Sequence, residues 1–189
     1  VGEVVLVTER LQLVLESPAE ALARVEALSP AERAEVSPAW LARVRTTSVG
    51  DPWTLGFSVT DRLNGAALGG CGFKGPPDAE GIVEIAYGVD PTHRGRGYAT
   101  EAARALVTFA FDSGLVHLIR AHTKLGNTAS ERVLAKCGFE RIGEVIDPED
   151  GLVWRWERTS GSAQPTVAPD GTDQHVDSRD AGPEGPPRR

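Results

Sequence analysis

Along this chain the apolar residues change period several times, and each change marks an element. Leu11, Leu13 and Leu15 alternate with Gln12 and Val14, which predicts a strand. Ser17-Pro18 then opens a helical run to Leu28, with serine as N-cap and proline in the first turn, and Ser29-Pro30 ends it. A second helical piece, 38–44, carries Trp40 and Leu41. Segments 53–60 and 66–73 read as two strands joined through Asn64-Gly65, a dipeptide suited to the left-handed conformations of a hairpin turn. Gly75-Pro76-Pro77-Asp78 breaks the chain before another strand, 81–89. From Ala99 the period lengthens: Ala102, Ala103, Leu106, Val107 and Ala110 fall on one helical face, and Gly114 stops the helix. A strand at 115–123, a helix at 128–137 between Asn127 and Gly138, and closing strands at 139–145 and 152–157 complete the pattern.

Between the strand at 81–89 and the helix that follows lies Arg94-Gly95-Arg96-Gly97-Tyr98-Ala99-Thr100. Strand, glycine turn and helix together make a cradle for phosphate. The glycines let backbone approach an anion with no Cβ in the way, and the helix aims unpaired N–H groups and its positive dipole end at it. Arg94 and Arg96 add charge. The spacing discriminates among phosphate ligands. Counted from Gly95, the last position of a dinucleotide fingerprint falls on Thr100, not on Gly or Ala, and no Gly-Lys-Ser/Thr run is present for a P-loop.

Arg-x-x-Gly-x-Ala, here Arg94 to Ala99, resembles the acyl-CoA pyrophosphate loop of the GCN5-related N-acetyltransferases (GNAT). Asn127-x-x-Ser130 followed by Lys136-x-Gly138-Phe139 is similar to that family's second signature, and the two stand in the family's order. Thr8-Glu9-Arg10-Leu11-Gln12-Leu13 looks like the first strand of the branch that acetylates ribosomal-protein N-termini (RimJ/RimL-like), and 151–156 looks like its last. The resemblance spans residues 8 to 158. It implies a single α/β domain over 1–158, with a mixed, mostly antiparallel, twisted sheet of six to seven strands and helices on both faces, open where the strands of the two signatures diverge.

Composition narrows the setting. In 189 residues, 40% hydrophobic, there is material for one sizeable core. No apolar stretch approaches the length of a membrane span, and Val1 to Val7 carries Glu3 and lacks the pattern of a signal peptide, so a cytoplasmic protein without membrane association is expected. The formal net charge of −7 argues against a nucleic-acid partner and suits a cationic amine. Cys71 and Cys137 lack the spacing of a metal site and read as buried thiols. The absence of methionine is explained if Val1 marks a valine initiator codon read literally. Beyond Arg158 the chain has five prolines, few large apolar residues and no period, so 159–189 is expected to be a disordered tail.

The resemblance implies acetyl-CoA as co-substrate, no metal, and an amine acceptor: a protein N-terminal α-amine or a small amine such as an antibiotic or polyamine. Attack on a thioester requires that the amine lose a proton, that an oxyanion be stabilised and that a thiolate depart. Glu84 occupies the strand position where many family members carry the base; its alternative is a glutamate paired with an arginine. Where many members place a tyrosine acid in the second helix this chain has Leu134, which cannot donate a proton. Ser130 is the candidate donor or relay, or else satisfies backbone donors in the first helical turn; Tyr87 and Tyr98 are residual acids that also read as packing residues. The resemblance further implies that the Val89 amide polarises the thioester carbonyl, that Asn127 holds the pantetheine arm, and that Arg94, Gly95, Arg96, Gly97, Tyr98, Ala99 and Thr100 surround the pyrophosphate. His122 could line the acceptor cleft but reads first as structural and stays outside the catalytic set. No nucleophile at family spacing suggests a covalent acetyl-enzyme, so direct attack in a ternary complex by a monomer or homodimer is expected. A non-catalytic acyl-CoA sensor is the alternative, and nucleotide phosphotransfer lacks its lysine and magnesium carboxylate.

Overall fold

The computed structural model describes residues 4–34, 36–48, 50–148 and 150–161. Of the expected tail, residues 162–189 lie outside the described residues, as does Val1. The elements run β1 (Val5–Val7), β2 (Leu11–Leu15), α1 (Pro18–Ala27), α2 (Pro30–Ala34), α3 (Pro38–Thr46), β3 (Phe57–Asp61), β4 (Ala67–Phe73) and β5 (Ile82–Val89). A 3₁₀ turn (Pro91–His93) leads to α4 (Tyr98–Asp112), β6 (Leu118–Lys124), α5 (Thr128–Lys136), β7 (Glu140–Asp147) and β8 (Gly151–Thr159).

The strands form one sheet in the order β1-β2-β3-β4-β5-β6-β8-β7, antiparallel throughout except for the parallel pair β5–β6. Among the described residues there are thus eight strands rather than six or seven. The extra one, β1, is three residues long and has no readable period; its pairing with β2 defines it. The strand expected from Trp53 begins only at Phe57, because Asp51 turns the chain: its carboxylate accepts the Trp53 amide and its carbonyl the Leu55 amide.

Helix α4 fixes the core. Its Ala102, Ala103, Leu106, Val107 and Ala110 are buried, and Phe109 meets the rings of Trp53, Phe57 and Phe73. Each large apolar side chain taken from water there contributes about 1.5–3 kcal/mol. Helix α5 lies beside α4, joined through Arg104, which donates to the Lys136 carbonyl at 2.9 Å, and it buries Leu134. Toward the opposite face α1, capped by the reciprocal Ser17–Glu20 box, sends Arg24 over Gly56 to Glu16 at 2.8 Å.

Candidate active site at the strand splay

Strands β5 and β6 share only the rungs Ile82–Leu118, Val83–Ile119 and Glu84–Arg120. Past Glu84, β5 follows β4 to Val89 while β6 follows β8 to Lys124, so the sheet opens. The Lys74 amide donates to the Glu84 carbonyl and the Asp90 amide to Leu68, which assigns the even-numbered residues of β5 to β4. Alternation then aims the amides of Ile85, Tyr87 and Val89 into the gap. A cleft of about 240 Å³ occupies this opening, lined among others by Glu84, Tyr87, His122, Asn127 and Ser130. Glu84 and Tyr87 are three residues apart on one strand and so project from opposite faces. Both line the cleft, which therefore passes through the sheet.

On one side stands Glu84, its side chain 21% exposed. Its Oε1 accepts from Lys74 Nζ at 2.6 Å and lies 3.1 Å from His122 Nδ1, which is also 3.7 Å from Asp147 Oδ2. Arg155 Nε donates to His122 Nε2 at 3.4 Å, which leaves the ring proton on Nδ1, directed at Glu84. Burial works against the charge on Lys74, but the Glu84 carboxylate, with Asp147 and Asp150, outweighs it and raises the lysine pKa. Lys74 is thus a fixed cation and no base at neutral pH. The partners of Glu84 are a lysine and a histidine, not the arginine that the sequence suggested as an alternative.

On the other side is the first turn of α5. Asn127 Oδ1 accepts the Ser130 amide at 3.2 Å as N-cap, and the Tyr87 hydroxyl donates to the Ser130 carbonyl at 3.3 Å. Burial pushes the Tyr87 phenol above its ordinary range, outweighing that hydrogen bond, so it stays protonated. Tyr98 is elsewhere: its hydroxyl donates to Asp61 Oδ2 at 3.1 Å. Leu134 is fully buried and lines neither side of the cleft.

The glycine turn joins this gap to α4. Arg94 Nε reaches back to the Val89 carbonyl at 2.9 Å, Gly95 has φ +78°, and Gly97, the N-cap of α4, has φ +82°. A glycine cap has no side-chain oxygen to occupy the amides of Tyr98, Ala99 and Thr100, which leaves them as donors. The Arg96 carbonyl is taken by Arg10 Nη1 at 2.9 Å. Gly97 and Thr100 also line a larger groove, about 1170 Å³, between the β1–β2 turn and α4. The expected residues are therefore divided: Glu84, Asn127 and Ser130 at the cleft, Gly97 and Thr100 at the groove, with Val89 and Arg94 at the join. Of these two hollows, the smaller brings a carboxylate and hydroxyls to the opened strand. Among the described residues no group of three His, Cys, Asp or Glu side chains is placed to hold a metal ion, and no helix is long and apolar enough to cross a membrane.

Sequence reasoning missed Lys74, Asp147 and Arg10. Each reaches its partner through strand register or a long-range turn, and local spacing carries no trace of either.

Residues 13–140 match the family model of the acetyltransferase (GNAT) domain. The chain is similar to YjdG of Bacillus subtilis, an uncharacterized N-acetyltransferase, with 36% identity over 89 residues, 46% of this chain and 53% of the relative. It thus spans about half the length of the first curated relatives it matches. In fold it is similar to the ribosomal-protein-S5-alanine acetyltransferase from Vibrio fischeri (TM-score 0.63, 17% identity, 86% of this chain and 100% of that one). It is also similar to AAC(6')-Ib in complex with paromomycin and acetyl-CoA (TM-score 0.62, 22% identity, 85% and 99%). The matched stretch contains the splayed pair β5–β6, the glycine turn and the capped α5, and the chain belongs to the GNAT acetyltransferase family.

Proposed function

We propose that this protein moves an acetyl group from acetyl-CoA to a primary amine by direct attack. The observation that carries this reading is the cleft through the sheet, with Glu84 on one face and Tyr87 and Ser130 on the other. The turn 94–100 and the open amides of α4 hold the pyrophosphate, Asn127 the pantetheine arm, and the Val89 N–H polarises the thioester carbonyl. Glu84 takes the proton that the amine releases, directly or through water, as the new C–N bond forms. Ser130 and Tyr87 face the sulfur, where a hydroxyl donates a hydrogen bond to the CoA thiolate that leaves when the C–S bond breaks. Both described cysteines are buried outside the cleft, which favours direct attack over a covalent acetyl-enzyme.

The acceptor approaches on the face of Glu84 as a primary amine that gives up its proton there; the carboxylates of Glu84 and Asp150 already have cation partners in Lys74 and Lys124. A peptide N-terminus and a small amine both meet that requirement.

The test is CoA release with a panel of amines and N-terminal peptides, with mass spectrometry of the product. Glu84→Gln should lower kcat on the order of a hundredfold with acetyl-CoA affinity nearly unchanged. The defect should narrow at high pH, where more amine arrives deprotonated. Wild-type turnover by the variant across the pH range removes Glu84 as base. Binding of acetyl-CoA without turnover of any amine makes the protein a sensor instead.

A further inference from the structure

Two residues of the β1–β2 turn, Thr8 and Arg10, reach across the molecule to the start of α4. Glu101 Oε1 accepts from the Thr8 hydroxyl at 2.6 Å and from the Arg10 amide at 2.8 Å, and Glu101 Oε2 accepts from Arg10 Nε at 2.7 Å. Arg10 Nη2 is a further 2.7 Å contact to the same oxygen, which makes the pair two-pronged. The remaining nitrogen, Nη1, donates to the Arg96 carbonyl between the two glycines of the phosphate turn. The guanidinium lies 4.8 Å from the centre of the Tyr98 ring, and a Cβ on Gly97 would come within 3.3 Å of Nη2. Arg62 holds the turn from behind, donating to the carbonyls of Thr8 and Glu9.

We infer that Arg10 is a positioning residue for the phosphate turn, setting the orientation of the peptide at Arg96 and thereby the aim of the α4 amides at the acetyl-CoA pyrophosphate. A turn with glycines at 95 and 97 has many backbone states, and only one presents its donors together. Between the two glycines nothing in the turn itself selects that state: Gly95 would meet no atom within 4 Å even with a Cβ added, Gly97 offers no cap, and the Arg94 bond to the Val89 carbonyl holds only the entrance. The selection comes from Arg10, whose planar fork binds the Glu101 carboxylate and the Arg96 carbonyl at once. Thr8 and Glu101 fix that fork in place. The inference depends on the reading of the turn as the acetyl-CoA site.

The test uses the full chain and three variants. Arg10→Ala should raise both Kd and KM for acetyl-CoA at least tenfold, leave kcat at saturating acetyl-CoA within twofold, and speed hydrogen exchange at the amides of 95–100. Arg10→Lys should recover only part of the affinity, since an ammonium cannot grip carboxylate and carbonyl in one plane. Arg24→Ala breaks a comparable surface ion pair far from the turn, and should change melting temperature by a similar amount with no change in acetyl-CoA affinity. Arg10→Ala that binds acetyl-CoA as tightly as wild type, or an Arg24→Ala loss of equal size, overturns the positioning role. Failure of the wild-type chain to bind acetyl-CoA overturns the reading of the turn itself, and the inference with it.

Discussion

Gly97 carries two constraints at once. Its φ of +82° lies in the left-handed region, where a β-branched side chain is strained, and an added Cβ would press on the Arg10 guanidinium. Gly97→Val should therefore weaken acetyl-CoA binding at least about tenfold in a titration, with the fold retained because the turn is at the surface. The second anchor is Glu101. Burial alone would raise its pKa, but the Thr8 hydroxyl and the Arg10 amide and guanidinium outweigh it and hold the carboxyl below the usual range. A carboxyl lowered on folding contributes stability above its unfolded pKa and loses it as the pH falls through the folded value. Thermal melts across about pH 6 to 3 should show wild type losing more stability below roughly pH 4.5 than Glu101→Gln does. At this scale the sequence revealed the chemical candidates but not their partners. Glu84 was singled out by its place before the glycine turn, whereas Lys74, just past β4, and His122, on β6, come to it from elsewhere in the chain.

Among the elements, α5 and β4 bear most directly on the site. Asn127 has an oxygen that caps α5 and an amide nitrogen proposed for the pantetheine arm, and the two roles separate by substitution. Asn127→Asp keeps the cap and should hold stability within about 0.5 kcal/mol, whereas Asn127→Ala should cost about 1 kcal/mol. Both should weaken acetyl-CoA binding; an Asp variant that binds normally would assign Asn127 to the helix alone. In β4, Gly69 has φ +141° and lies so close to β5 that an added Cβ would stand 2.2 Å from the Gly88 carbonyl oxygen. Gly69→Ala should cost about 3 kcal/mol or more in denaturant melts, by strain and overpacking together. Gly65, with φ +69° and open space around it, should lose only about 1 kcal/mol on the same change. All the described helices but α2 were legible because capping residues and a 3.6-residue period are local: Ser17, Asn127 and the buried stripe of α4 stand where the pattern set them, whereas Ser29-Pro30, read as a stop, opens α2 (Pro30–Ala34). Strand β1 and the turn at Asp51 were not, since one depends on a neighbouring strand and the other on a carboxylate folding back on its own backbone.

The whole molecule offers its own probes in Cys71 and Cys137. Burial, with the Glu16 charge, pushes the Cys71 thiol up to about 12; burial raises Cys137 to about 11 against the pull of Arg104 and Arg158. At about pH 8 a thiol reagent should label neither in the folded protein and both once it is unfolded, at rates that follow global opening. Labelling of Cys137 alone under native conditions would mean that α5 opens independently, and with it one wall of the cleft.

By itself the sequence determined what is written locally. The periods placed most of the helices and strands, two glycines and two arginines between strand and helix suggested the proposed phosphate turn, and the ordered signatures pointed to the family. Tertiary structure decided the rest, because it depends on register and on contacts distant in sequence. The parallel pairing of β5 with β6 stops at Glu84, and that break turns an ordinary strand into the edge of a cleft. Pairing with β4 decides that the Val89 amide faces the gap, and three residues of strand pitch decide that Glu84 and Tyr87 approach it from opposite faces. Only when the β1–β2 turn folds against α4 does Arg10 meet the Arg96 carbonyl, 86 positions away in the chain, and give the phosphate turn a single shape.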